Sequence, residues 1–192
     1  MTTDPLDLYR GAAAGFGSRV HAVGSDQWEG PTPCSEWDVR ELVNHLVGEN
    51  RWVPEMFAGR TVAEVGDHLD GDLLGADPVA AWDSSITAAL DAIGEGGAME
   101  RMVHLSFGDL PGAEYVMQLF ADLLIHGWDL ARAIGADEHL DDTLVAACAT
   151  WFEGAAELYR TAGVVGPQIE VGETADPQAK LLSAFGRDPS PA

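Results

Sequence analysis

The chain has 192 residues, 46% of them hydrophobic, which suits one folded domain, or a domain with a small appendage, around a real core. Acidic side chains outnumber basic ones by 32 to 10, and the formal net charge of −22 disfavours duplex nucleic acid and anionic membrane surfaces as partners. Because we find no basic leader before an apolar run, no apolar run near the ~20 residues that span a membrane, and only two cysteines, we expect a cytoplasmic protein.

Helix start signals recur along the first half of the chain. Asp4 and Pro5 fit the N-cap and the first position of a helix that begins there. Asp38 opens a second helix, and Glu41 three residues later matches a capping box. Pro54 is expected to bend or end this second helix near its last turn.

Three further helices follow with similar signals. Asp77 and Pro78 repeat the Asp-Pro start, and the next helix begins after Leu110 and stops at Gly135, a suitable C′ glycine. The last helix, DDTLVAACATWFEGAAELYRTAG, is expected to stop at Gly163. Four of the five helices are long enough for a bundle, so the sequence predicts an all-α four-helix bundle.

The segments between and after these helices are less regular. Residues 99–110 partly alternate apolar and polar side chains, which indicates a short extended segment or ribbon. Residues 59–76 are acidic and glycine-rich, and they form either a long crossover loop over one end of the bundle or an active-site flap. We expect a bundle domain over residues 1–165. Residues 166–192 are predicted to form a tail on or near the bundle, with a short extended piece and one or two helical turns.

A polar stripe interrupts the apolar helix FADLLIHGWDLARA. Asp122 and His126 lie four residues apart, which is ~400° of rotation and ~6 Å of rise, so they share one helix face. A carboxylate on an apolar face needs a cation or a donor to offset its lost hydration, and two ligands four residues apart suit a single metal ion. His45, between Leu42 and Leu46 on another apolar face, is the best third ligand.

Simpler interpretations of these residues remain open from spacing alone. A histidine on an apolar face is often a core residue bonded to a carbonyl or carboxylate, and the spacing of Asp122 and His126 also fits a simple pair on the helix surface. Glu49, four residues after His45, is a rival ligand by the same geometry.

Four stretches in one order carry a resemblance to a known family: PTPCSEWDVRELVNHLVGEN, GDLLGADPVAAW, LLIHGWDLARAIG and LLSAFGRDP. Across residues 6–189 they resemble an actinobacterial family of the DinB/YfiT-like metal-binding four-helix bundles, similar to the N-terminal domain of mycothiol-dependent maleylpyruvate isomerase. The resemblance implies an up-down-down-up bundle. It also implies three metal ligands, a His on the second helix and a Glu/Asp-x-x-x-His pair on a later one, which match His45, Asp122 and His126.

The resemblance also implies a chemistry for this site. A divalent ion, zinc first and nickel, iron or manganese as alternatives, is expected to bind a low-molecular-weight thiol such as mycothiol as the thiolate. The thiolate then attacks an electrophilic small-molecule substrate. The isomerase has an additional C-terminal domain that contributes to its site, so we expect a reaction other than isomerisation of maleylpyruvate.

The leading functional hypothesis is therefore a thiol-dependent transferase or isomerase. A non-catalytic module that binds a metal or a small ligand is the alternative, and a bundle without metal that serves in assembly is a third. The sequence leaves a homodimer open, and it assigns no catalytic residue.

Several residues near the predicted ligands are candidates for supporting roles. Asp129 is expected either to fix the tautomer of His126 or to form an exposed pair with Arg132. Glu49 and Trp52 are predicted to face the substrate, with a solvated helix edge as the alternative for Glu49.

Cys34 precedes the helix that begins at Asp38, and a helix N-terminus is able to lower the pKa of a thiol. We nevertheless favour a small buried residue at this position, because thiols outside disulfides are usually buried. For Trp37 and Trp128 we favour core packing over a place in a ligand pocket.

Overall fold

The computed structural model describes residues 4–161 and 165–190, except for the side chain of Leu158. In this part of the chain helices dominate and the only sheet has two strands, which confirms that the protein is mostly helical. The elements are α1 (Pro5–Val20), α2 (Val39–Phe57), α3 (Val62–Val65), α4 (Pro78–Ile93), β1 (Met102–Leu105), β2 (Gly108–Pro111), α5 (Gly112–Ile134), α6 (Asp142–Glu153), α7 (Ala156–Thr161) and α8 (Pro177–Ala184).

Contacts within the chain divide it into two compact units, Met1–Asp137 and Glu138–Ala192. The first unit holds α1 to α5 and the hairpin, and the second holds α6 to α8. This division falls before residue 165, where the sequence suggests a boundary, so the assignment of 1–165 and 166–192 as domains stays a prediction.

The core of the first unit is built by its four long helices. The helix α1 packs mainly along α5 and α2 mainly along α4, with smaller contacts between α1 and α4 and between α2 and α5. Phe16 of α1 contacts Trp82 of α4 with 4.7 Å between the ring centroids. Gly17 permits this approach, because a Cβ atom there would lie 2.8 Å from Trp82 Nε1.

Local capping signals set the helix ends. The side chains of Asp4 and Asp77 accept backbone hydrogen bonds as N-caps of α1 and α4. Asp38 and Glu41 form the predicted capping box of α2. Gly135 ends α5 in the left-handed region with φ 68°, where a glycine is free of the Cβ penalty.

The irregular segments of the first unit also follow the sequence. Pro54 lies inside α2, which continues only to Phe57, so the proline falls in the last turn as expected. The alternating segment forms an antiparallel hairpin in which Val103 pairs with Leu110, which confirms the predicted ribbon. The long connection after α2 contains the one-turn helix α3, which Thr61 caps.

In the second unit, the prediction of one long helix after residue 141 is wrong. The helix α6 ends at Glu153, Gly154 is its C-cap, and α7 begins at Ala156. The predicted end at Gly163 lies outside the described residues. The predicted helical turns of the tail are present as α8, and the rings of Phe152 and Phe185 stack at 4.0 Å.

Candidate metal centre

The helices α2 and α5 bring the three predicted ligands together. His45 Nε2 lies 3.1 Å from Asp122 Oδ2, and His126 Nε2 lies 3.3 Å from Asp122 Oδ1. One ligand atom from each of the three side chains lies within 4.8 Å of the other two. His126 is buried while His45 and Asp122 are partly exposed, so solvent reaches the cluster at these two residues.

Electrostatics couples these three groups tightly. Burial alone would raise the pKa of Asp122, but the two imidazoles outweigh burial and lower the pKa of this carboxyl. Burial likewise opposes protonation of His126, but the charge of Asp122 and the hydrogen bonds that His126 makes with Asp122, Asp129 and Cys34 raise its pKa well above the ordinary value. The pKa of His45 is raised by the same carboxylate against the effect of burial. Without a metal ion, the cluster thus favours protonated, positively charged imidazoles of His45 and His126 around the Asp122 carboxylate.

Asp129 holds the second nitrogen of His126. Its Oδ2 atom lies 2.9 Å from His126 Nδ1, and the aspartate is completely buried. If a metal ion displaces the proton of Nε2, the proton on Nδ1 that is donated to Asp129 leaves the Nε2 lone pair for the ion, which is the arrangement that metal-ligating histidines commonly show. The alternative of an exposed pair with Arg132 requires a solvent exposure that Asp129 does not have.

Cys34 reaches the same carboxylate from the loop before α2. Its Sγ atom lies 3.3 Å from Asp129 Oδ2 and 3.8 Å from His126 Nδ1, and the residue is only half-buried. Thr32 fixes this loop, because its hydroxyl oxygen accepts from the Cys34 amide and lies 2.8 Å from the Trp37 carbonyl. The expectation of a plain buried Cys34 is therefore wrong.

Trp37 is a second site residue for which the sequence favoured a different role. Its ring centroid lies 4.7 Å from that of His45 and 5.6 Å from that of His126, so the indole covers both imidazoles. Trp37 is partly exposed, whereas Trp128 is buried as core packing requires. The sequence offered one signal for these contacts, the order Thr32, Cys34 and Trp37 shortly before a capped helix. That order does not indicate the path of the loop.

A cavity of about 490 Å³ opens beside His45. Part of its wall is the loop 71–75, which α2 holds in place: Asn44 donates to the Gly71 carbonyl at 2.9 Å, and Arg40 donates to both Asp72 oxygens at 3.0 Å. The long connection predicted as a crossover or a flap therefore borders the site. The lining residues are Trp37, Arg40, Glu41, Asn44, His45, Gly71 and Asp72.

Comparison with known proteins identifies the family to which the chain belongs. The sequence model of the mycothiol maleylpyruvate isomerase N-terminal domain matches residues 9–131. The chain belongs to this family. The matched region contains His45, Asp122 and His126, and the suspected DinB/YfiT-like relationship is confirmed.

Two relatives of this family member are uncharacterized proteins of Mycobacterium tuberculosis, MT0763 of strain CDC 1551 / Oshkosh and Rv0738 of strain ATCC 25618 / H37Rv. Each is 32% identical to this chain over 166 residues, which cover 86% of this chain and 82% of the relative. No solved structure matches the chain. Among the described residues, none of the helices combines the length and the apolar character that crossing a membrane requires.

The other two predicted site residues, Glu49 and Trp52, lie further along α2. Burial, and then the Asp122 carboxylate, raise the pKa of Glu49, while His45 and His126 act in the opposite direction. Among the described residues, two groups of side chains lie close enough to share a metal ion, His45 with Asp122 and His126, and Cys34 with Asp129 and His126. Glu49 belongs to neither group. Trp52 is partly exposed, and it is not among the described residues that line the cavity beside His45. A role for Glu49 or Trp52 in facing substrate stays a prediction.

The donor set of this cluster suits a divalent ion. Two imidazoles and one carboxylate oxygen are common ligands of zinc and of other first-row metals, and three protein ligands leave a position for a small molecule. The distances above place the three donors around one point with little rearrangement, so the residues present fit such an ion.

Proposed function

We propose that this protein is a divalent-metal enzyme of the thiol-dependent type, a transferase or an isomerase. The ion would be held by His45, Asp122 and His126. The observation that carries the proposal is the convergence of their ligand atoms within 4.8 Å beside an accessible cavity, in a chain of the mycothiol maleylpyruvate isomerase N-terminal domain family.

The fold supports the proposal through its helix pairs. We infer an up-down-down-up four-helix bundle made of α1, α2, α4 and α5. Its support is the packing of α1 along α5 and of α2 along α4, together with the long connection between α2 and α4. Such a bundle directs the ligands of α2 and α5 to a common interior position.

When bound, the ion would supply a positive centre that lowers the pKa of a coordinated thiol. A divalent cation with two neutral imidazoles and one carboxylate keeps one positive charge, which favours an anionic ligand such as a thiolate. Zinc is our first choice of metal, with nickel, iron and manganese as alternatives. The thiol substrate is mycothiol or a similar small thiol, and its partner is an electrophile.

The residues around the donors have distinct roles in this proposal. Asp129 orients His126 through Nδ1. Trp37 covers the two imidazole rings and limits the water that reaches them. The half-buried cavity between Trp37 and the loop 71–75 gives the substrate its path to His45.

An enzyme is preferred to a non-catalytic binding module because of this path. A structural metal site normally has a closed shell of four protein ligands. The rival fourth ligand, Glu49, is not in the ligand group, and His45 lies on a cavity wall. Both observations favour a site that exchanges a small molecule.

The test uses cobalt, which makes bound sulfur visible. Adding mycothiol to the cobalt-loaded protein should produce a sulfur-to-cobalt charge-transfer band, since the ion stabilises the thiolate. Asp122→Asn should weaken cobalt binding and reduce the band, because it removes the only anionic ligand of the site. If no thiol gives a band while bound water exchanges readily, the site is not thiol-activating, and metal-assisted hydrolysis or passive binding would replace the proposal.

A further inference from the structure

The two nitrogens of His126 point into two different groups of ligand atoms. Nε2 faces Asp122, beside His45. Nδ1 faces Asp129 and Cys34, whose Oδ2 and Sγ atoms lie 2.9 and 3.8 Å away. The third side of this second triangle, from Cys34 Sγ to Asp129 Oδ2, measures 3.3 Å.

These separations are close to those of ligands around one metal ion. Bonds of ~2.3 Å to sulfur and ~2.0–2.1 Å to nitrogen and oxygen, at tetrahedral angles, put the ligand atoms about 3.3–3.6 Å apart. The triangle of Cys34, Asp129 and His126 needs shifts of only a few tenths of an ångström to reach them. Its donors come from two separate elements, the loop before α2 and the helix α5.

We propose that Cys34, Asp129 and His126 Nδ1 form a second metal site, for a strongly thiophilic divalent ion such as cadmium. Because one imidazole serves both sites, the ion at Cys34 withdraws His126 from the site with His45 and Asp122. The chain therefore binds one ion in either of two alternative positions, and the softness of the ion decides between them.

Charge and ligand type make the two sites chemically different. A thiolate and a carboxylate neutralise a divalent ion at the Cys34 site, whereas the His45 site keeps one positive charge. Soft ions prefer the thiolate, and harder ions such as manganese prefer imidazole and carboxylate. Binding at the Cys34 site forms bonds from the metal to sulfur, nitrogen and oxygen, and it releases the protons of the thiol and of Nδ1 to solvent.

The surroundings of Cys34 favour such a site. The hydrogen bonds of Thr32 to the Cys34 and Trp37 backbone hold the loop, so little ordering is needed on binding. Asp129 is fully buried, and an ion beside it offsets the cost of its burial. The half-buried Cys34 provides access from solvent.

The test is titration of the metal-free protein with cadmium chloride, without any added thiol. Wild-type protein should develop a thiolate-to-cadmium charge-transfer band in the ultraviolet that saturates at about one equivalent. Cys148→Ser is the matched control, because Cys148 is the other cysteine and is buried in α6; it should keep the band. Cys34→Ser should lose it, with circular dichroism confirming that the variant remains helical.

His45→Ala separates this inference from the proposed function. Cadmium should still give the band in this variant with an affinity within about threefold of wild type, because His45 is not a ligand of the Cys34 site. Asp129→Asn should weaken cadmium binding by about tenfold or more. An unchanged band in Cys34→Ser, no band in wild type, or loss of the band in His45→Ala would each overturn the second site. Failure of manganese or cobalt to bind would instead count against the His45 site.

Discussion

At the scale of single residues, the predicted ligands and their surroundings differ in how well the sequence revealed them. The spacing of Asp122 and His126 placed them on one helix face, His45 was the best third candidate on another apolar face, and the family resemblance matched all three. The structure brings their ligand atoms together. The contacts of Cys34 and Trp37 were not predictable, because they depend on the path of the turn at 32–37 and not on any helical period. Loop conformation is set by tertiary packing, so it leaves little trace in one sequence.

The coupled pKa values of this cluster predict how the stability of the metal-free protein depends on pH. His45 and His126 have raised pKa values in the folded protein, so the folded state binds more protons than the unfolded state above pH ~6.5, and stability should fall as pH rises through the folded values. The lowered pKa of Asp122 has the opposite consequence, with stability lost as pH falls below ~3.9. Urea unfolding at a series of pH values, in the presence of a chelator, measures the loss of stability at high and at low pH.

The control for this pH profile is His126→Ala. The variant should be less stable near pH 6 and should lose much of the decline above pH ~6.5, because the imidazole that titrates is absent. Any decline that it keeps reports His45, whose pKa is also raised, together with the general repulsion of a chain with net charge −22. A wild-type stability that rises between pH 6.5 and 8 without metal would contradict the assigned directions.

At the scale of secondary structure, short-range signals were sufficient where a cap decides the helix end. Asp38 with Glu41, and Gly135, act through residues within one turn, and each was predicted correctly. The break after α6 was missed because Gly154 has an ordinary helical conformation and no proline follows it. Beyond the break, the ring of Tyr159 contacts those of Trp151 and Phe152, so aromatic packing accompanies the break between the two helices.

The close packing of α1 on α4 predicts opposite effects of two alanine substitutions in one helix. Gly17→Ala should lower the free energy of unfolding by about 1–3 kcal/mol, because the new methyl group would lie 2.8 Å from the buried Trp82 ring. Gly15→Ala should be neutral, or stabilising by up to about 1 kcal/mol, because alanine favours the helix. Its Cβ meets only the flexible end of Arg19 at 3.3 Å. Urea denaturation compares the two, and equal effects would show that α1 and α4 are not in close contact at Gly17.

At the scale of the whole molecule, charge is the dominant property. A net charge of −22 on 192 residues repels polyanions, and this was readable from composition alone. The sequence suggested a boundary near residue 165, whereas the contacts divide the chain after Asp137, and the assignment of the domains stays a prediction. Cytoplasmic location and a homodimer stay predictions.

The charge predicts that duplex DNA does not bind at physiological salt, because the protein has few cationic groups to release the counterions of the phosphates. Fluorescence anisotropy of a labelled duplex should stay unchanged up to tens of micromolar protein, on the order of typical non-specific dissociation constants. Micromolar binding that weakens with added salt would reveal a local basic surface and contradict the prediction.

The central claim is that His45, Asp122 and His126 hold one divalent ion, and elemental analysis of zinc-loaded protein tests it most directly. The measurement belongs in a Cys34→Ser background, which removes the alternative thiolate ligand. After dialysis, this protein should retain about one zinc per chain. The further changes His45→Ala and His126→Ala should each reduce zinc to a small fraction of that amount while the helical circular dichroism remains. Zinc content that is unchanged by both substitutions would contradict the account.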